Sequence, residues 1–329
     1  MDVGQRLMVG FDGTRMNREI EYAVSELGVG GVILFSRNIE SPRQVADLCG
    51  NIQAIAERSG RPPLFIAVDQ EGGPVARFRK PFTEFPGNPF MKEPSEAWHF
   101  AEVTARELRS VGVNMDLAPV VDWMPEGLEG IMASRVFRGS PEHVGEMGAT
   151  VIRGLQQGGI MAVAKHFPGI GRTVLDSHID LPRMDIDRSD MAQTDVLPFR
   201  KAIQADVCGI MLSHILYSRI DPMWPASLSA SIASAWLRKE LGFAGIVMTD
   251  DLDMGAIARH YSLETAVEKA SEADIDMILI CHWGPRIEEA FRCVRSAAER
   301  FPEKTAAMLQ RIAAAKVRWL GASGRPIGS

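Results

Sequence analysis

The sequence predicts an α/β protein, a single (β/α)8 TIM barrel spanning residues 1–329 with an additional C-terminal helix. Three observations carry this reading. Eight short, β-branched apolar runs alternate with longer stretches of helical period. Most of these runs are apolar without interruption, as expected of parallel strands covered on both faces. Finally, no Pro- or Ser-rich linker divides the chain of 329 residues, and barrels commonly reach about 250 residues or more.

The predicted strands are Arg6–Phe11, Gly31–Phe35, Leu64–Val68, Val113–Leu117, Ile160–Ala164, Val207–Leu212, Gly245–Thr249 and Asp276–Ile280. Helix starts are marked by Ser41-Pro42 before Val45–Ile55, Ser140-Pro141 before Val144–Leu155, and Ser229 before Ile232–Leu241. A Ser cap accepts an orphan N–H, and Pro at the first helical position has none to satisfy. Glycines at Gly112, Gly159 and Gly242 end helices and hand the chain to the next strand. The tail Glu303–Leu320 reads as an amphipathic helix packed on the outside, with Ala306, Leu309, Ile312 and Val317 on its apolar stripe.

A net charge of −6 offers no positive field for a phosphate backbone, so a nucleic-acid partner is not expected. Cys49, Cys208, Cys281 and Cys293 form no CxxC pair and read as buried thiols in a reducing compartment. The N-terminus lacks a basic region followed by an apolar run, and no stretch reaches the 18 apolar residues of a spanning helix. The expectation is a cytoplasmic protein with no membrane partner; its oligomeric state stays open.

Barrel enzymes place their working residues where strands end. Here the third run ends in Asp69-Gln70-Glu71-Gly72-Gly73, the fourth leads to Asp116 and Asp122, and the fifth ends in Lys165-His166. The sixth ends in Ser213-His214, the seventh in Asp250-Asp251, and the eighth at His282. Ionisable groups converging on one rim predict an active site there.

The segment after the fifth run, from His166 to Arg183, exceeds the usual βα connection, and such loops generally bear sites. Within it, Asp176 can accept a hydrogen bond from His178, fixing the imidazole tautomer and leaving the other nitrogen to move a proton. Taken alone, the triplet is better explained by a solvated polar turn. At the other candidate site an apolar strand delivers Asp250, whose carboxylate can attack an electrophilic carbon or stabilise a developing cation. Capping of a helix near Leu252–Ala258 accounts for Asp251 or Asp253, but not for a strand that itself ends in Asp.

Other chemistries fit less well. A metal-dependent barrel would want His-x-His after an early strand, where this chain has Phe11-Asp12-Gly13, although His166, His178, His214 and His282 leave a metal set conceivable. No bound metal and no cofactor are expected, since no complete dinucleotide or phosphate-binding glycine motif occurs. A serine-hydrolase elbow is absent as well.

Six ordered motifs together resemble glycoside hydrolase family 3, in its bacterial single-domain β-N-acetylglucosaminidase branch. They are Val68-Asp69-Gln70-Glu71-Gly72-Gly73, Ala118-Pro119-Val120-Val121-Asp122, Ser134-Arg135-Val136-Phe137, Lys165-His166-Phe167-Pro168-Gly169, Asp176-Ser177-His178 and Thr249-Asp250-Asp251-Leu252. The resemblance implies retaining, two-step hydrolysis of terminal β-linked N-acetylglucosamine, as in muropeptide turnover, with a small carbohydrate as the binding partner. It further implies that Asp250 is the nucleophile and His178 the acid/base, oriented by Asp176. Asp69, Arg77, Arg135, Lys165 and His166 match the positions that hold the sugar.

The chain departs from the family pattern at Ile170 and Arg172, where His and Asp are usual, and at Pro74, where Arg is usual. These departures put the loop's contacts in question and leave nucleophile and dyad intact. A β-glucosidase, a phosphorylase or transglycosylase on the same scaffold, and a non-catalytic sugar-binding barrel are the alternatives.

Overall fold

The computed structural model describes residues 1–173, 175, 177 and 179–321. Asp176 and His178 lie outside the described residues. Eight parallel strands close into a barrel: β1 (Leu7–Val9), β2 (Gly31–Leu34), β3 (Phe65–Val68), β4 (Met115–Asp116), β5 (Met161–Phe167), β6 (Gly209–Leu212), β7 (Ile246–Asp251) and β8 (Met277–Ile280). Their spatial order follows the sequence, and β8 pairs with β1 through Leu7–Ile278 and Val9–Ile280. The expected (β/α)8 barrel is therefore the observed architecture, with each strand lying within or beside its predicted run.

Period-two alternation sorts the strand side chains into two layers. Phe65 and Ala67 point into the barrel, with Met8, Met115, Met161, Met211, Met248 and Met277, whereas Ile66 and Val68 join the layer beneath the helices. Unbranched methionines suit this interior because they fill irregular gaps between strands of differing tilt.

The helices flank the barrel: α1 (Arg18–Ser25), α2 (Pro42–Arg58), α3 (Pro94–Ser110), α4 (Pro141–Gln157), α5 (Arg188–Gln193), α6 (Leu197–Gln204), the π-type α7 (Ser231–Glu240), α8 (Gly255–Ala258), α9 (Leu263–Glu272), α10 (Pro285–Arg300) and α11 (Pro302–Leu320). Ser41 and Ser140 cap α2 and α4 by accepting from Gln44 and His143 N–H, as their positions predict. Ser229 accepts from Ile232 N–H and anchors the start of α7 while donating to Asp221. Among the described residues, no helix is long and apolar enough to cross a membrane.

The last helix corrects one expectation. It lies across the strand-entry end of the barrel: Ile312 and Leu320 belong to the interior cluster, and Lys316 between them sits over the Phe65 ring. Its buried stripe is Thr305, Met308, Ile312, Lys316 and Leu320, while Val317 faces outward. The apolar-only reading of the stripe failed because Lys316 is buried by stem and ammonium alike, with its Nζ donating to Gln5 Oε1 at 2.6 Å.

Candidate active site

The exit end of the barrel opens into a cavity of ≈ 570 Å³. Asp69, Arg77, Arg135, Lys165, His166 and Asp250 all line it, so every described site residue expected from the sequence meets in one place. Asp176 and His178 fall outside the described residues, but Ser177 between them in sequence is part of the lining.

One wall is a chain of alternating charges. Lys165, at the end of β5, donates to Asp69 Oδ1 at 2.6 Å and lies 2.7 Å from Glu71 Oε1. Arg77 donates to the other Asp69 oxygen at 3.0 Å, and Arg135 grips Glu71 with two bonds of 2.9 and 2.7 Å. Paired charges of this kind tolerate burial where an isolated one would not. Burial works against ionised Asp69, but Lys165 and Arg77 outweigh it and hold its carboxyl well below the usual range. Glu71 is likewise lowered, with Lys165 and Arg135 overcoming the penalty of burial. The two carboxylates in turn raise Lys165 against the same desolvation.

Glu71 is the residue that sequence reasoning passed over. It stands inside the quoted Asp-Gln-Glu-Gly-Gly motif, yet nothing in the linear sequence ties it to Arg135, 64 positions away. Asp116 and Asp122, both read as rim residues, support the site from behind. Asp122 is fully buried and accepts from His166 Nδ1 at 2.8 Å and from Ile170 N–H at 2.9 Å, which leaves His166 Nε2 as the ring's acceptor. Asp116 Oδ1 accepts from Gln70 N–H, and burial pushes its carboxyl well above the usual carboxylate range.

The opposite wall is the end of β7. Asp250 Oδ1 accepts from the Asp251 N–H at 2.8 Å, which orients its carboxylate at the strand terminus. Asp251 also borders the cavity, and its Oδ1 accepts from the N–H groups of Asp253 and Cys281. Burial, aided by the neighbouring Asp253, pushes Asp251 up to about 6 despite those bonds. His214 Nε2 donates to the Asp251 carbonyl at 2.9 Å, and its Nδ1 accepts from Ser227. Both ring nitrogens are thereby engaged.

The capping expectation for Asp251 or Asp253 is corrected. Helix α8 begins at Gly255 behind Met254, without a side-chain cap. Asp251 closes the preceding turn, and Asp253 pairs with Arg286 at 2.5 Å. Among the described residues, Asp251, Asp253 and His282 bring one ligand atom each within 4.8 Å of one another. Arg286 already supplies positive charge to that corner.

Acidic and basic groups converging on a cavity at the exit end of a (β/α)8 barrel are the arrangement of a barrel enzyme's active site. The model for the glycosyl hydrolase family 3 N-terminal domain matches residues 1–313. A β-hexosaminidase of Alkalilimnicola ehrlichii is 39% identical over 285 residues, covering 84% of this chain and 80% of that protein. A β-N-acetylglucosaminidase of Paenibacillus sp. superposes with a TM-score of 0.92 at 35% identity; 96% of this chain is covered, and the chain spans 61% of that longer protein. NagZ of Neisseria gonorrhoeae, solved in complex with N-trifluoroacetyl-D-glucosamine, superposes with a TM-score of 0.78 at 28% identity, covering 93% of this chain and 89% of that one. The chain belongs to glycosyl hydrolase family 3 and is a glycoside hydrolase.

Proposed function

We propose that this protein is a retaining β-N-acetylglucosaminidase that removes terminal, non-reducing N-acetylglucosamine from muropeptides or related oligosaccharides. The observation that carries this is that Asp250 lines one cavity with Arg77, Asp69, Lys165 and Arg135, which the buried Glu71 completes into a continuous Arg77–Asp69–Lys165–Glu71–Arg135 charge network. The relatives named for hexosaminidase activity, and the N-acylated glucosamine in the NagZ structure, support the choice of sugar.

In this reading, the sugar hydroxyls and the N-acetyl group are held by Asp69, Arg77, Arg135, Lys165 and His166. Lys165, Arg77 and Arg135 present charge-assisted donors, and Asp69 accepts from hydroxyls. His166, with Nδ1 committed to Asp122, offers Nε2 as an acceptor.

Asp250 then attacks the anomeric carbon as the bond to the aglycone oxygen breaks, and protonated His178 delivers its proton to that oxygen. In the second step neutral His178 takes a proton from water, whose oxygen displaces Asp250 from the anomeric carbon. Asp176 orients the imidazole in both steps. Contacts that tighten as the ring becomes oxocarbenium-like lower the barrier more than those made equally in the ground state.

Hydrolysis of p-nitrophenyl β-N-acetylglucosaminide and β-glucoside, side by side, tests the specificity. Strong preference for the N-acetyl sugar, without stimulation by phosphate, is expected. Glucoside preference would move the enzyme to another branch of the family, and phosphate stimulation would replace water as the acceptor.

A further inference from the structure

Arg172 stands four residues before Asp176 and six before His178, where the long loop leaves the barrel. Its guanidinium Nε donates to both Asp195 oxygens, at 3.2 and 3.0 Å, and Nη2 donates to Thr194 Oγ1 at 3.1 Å. The same guanidinium lies 4.9 Å over the Trp123 ring. Asp195 is fully buried, in the turn between α5 and α6, and Trp123 is fixed by its indole N–H to the Gly139 carbonyl at 3.0 Å.

Asp195 and Trp123 also wall the backbone just upstream. A Cβ at Gly169 would meet the Asp195 Cβ at 2.8 Å, and one at Gly171 would meet the Trp123 carbonyl oxygen at 1.9 Å. The chain thus passes through a slot between these two residues, and Arg172 bridges the slot at its outer end. Downstream, the described tie is the Ser177 carbonyl, which accepts from Ala256 N–H at 3.0 Å. Fixing both ends of a chain segment lowers the entropic cost of any one arrangement between them.

We infer that Arg172 is a positioning residue for the acid/base, an ion-paired and stacked clamp that sets the near end of the segment carrying Asp176 and His178. The inference rests on the reading of His178 given above. Arg172 does not line the sugar cavity, so its effect falls on proton transfer and leaves sugar binding intact. A buried, half-shielded pair of this kind serves geometry more than net stability, because desolvation of Asp195 offsets much of the attraction. Burial pushes the Asp195 carboxyl upward, and Arg172 is the first charge that works against it.

The test compares an aglycone that needs protonation, the second sugar of chitobiose, with one that leaves unaided, 2,4-dinitrophenolate. Arg172→Ala is expected to lose about 10- to 100-fold in kcat/KM on chitobiose, part of the ~10²–10⁴-fold worth of a positioned general acid. On the dinitrophenyl glycoside the loss in kcat/KM should stay under about 3-fold, with KM little changed. Arg172→Lys should recover part of the chitobiose activity. If Arg172→Ala does not fold, Arg172→Met with Asp195→Asn removes the clamp without stranding a charge.

His178→Ala is measured alongside. If it discriminates between the two aglycones and the Arg172 variants do not, or if those variants lose both activities equally, the clamp is overturned while the acid/base reading stands. If His178→Ala itself does not discriminate, the acid/base reading and the inference built on it both fall.

Discussion

The Ser177 carbonyl accepts a hydrogen bond from Ala256 N–H at 3.0 Å, joining the long loop after β5 to the first turn of α8. The strand β7, which carries Asp250 as its penultimate residue, leads through Leu252–Met254 into that turn. The two halves of the proposed chemistry are thus tied by one main-chain bond. Replacing Ala256 with Pro removes the donor at a helix start, where Pro is tolerated. The bond is worth about 1 kcal/mol, so Ala256→Pro should lose roughly fivefold in kcat on chitobiose, with a melting temperature near that of the parent. Unchanged turnover would show that the tie is dispensable.

Glu71 links Lys165 and Arg135, and its removal leaves both cations short of a partner in a buried wall. Breaking such a pair costs about 3–5 kcal/mol. Glu71→Gln keeps the volume and should lower both the melting temperature and the affinity for N-acetylglucosamine. Because the folded Glu71 is held below its ordinary range, its contribution is complete above that range and fades as the pH falls through the lowered value. The stability gap between parent and variant should therefore be widest near neutrality and narrow in acid. Urea melts at several pH values check this.

Lys316 carries the opposite sign. Burial pushes its ammonium down to about 7, whereas the unfolded lysine titrates near about 10.4. Between those values the unfolded chain binds more protons, so stability from this group rises with pH. The shift corresponds to a few kcal/mol, order of magnitude, across that window. Lys316→Met should flatten the rise, and the difference in melting temperature between parent and variant, followed from pH 7 to 10, isolates it. A constant difference across the range would assign Lys316 no titration there.

Much of the barrel was legible because strands buried on both faces must be apolar throughout, and Phe65–Val68 or Met277–Ile280 has no other reading. β5 runs on to Phe167, beyond the predicted Ala164, because Lys165 and His166 stay in extended backbone while meeting buried carboxylates. Polarity ended the run in sequence, whereas pairing continued it in space. The rim residues were legible for a related reason: strands deliver their last side chains to one end. Partnerships were not, since Glu71 with Arg135 and Arg172 with Asp195 depend on loops whose lengths give no distance. Lys316 was left out of the stripe because a buried lysine breaks the apolar periodicity by which a stripe is recognised.

The most direct test of the account is covalent trapping at Asp250. A 5-fluoro-β-N-acetylglucosaminyl fluoride slows both steps by destabilising the oxocarbenium-like transition state, while its good leaving group lets the first step proceed. Intact mass followed by peptide mapping should find one sugar per chain, esterified to Asp250, and Asp250→Ala should stay unlabelled and lose nearly all turnover. A label on another carboxylate, or near-normal activity in Asp250→Ala, would contradict the assignment of the nucleophile.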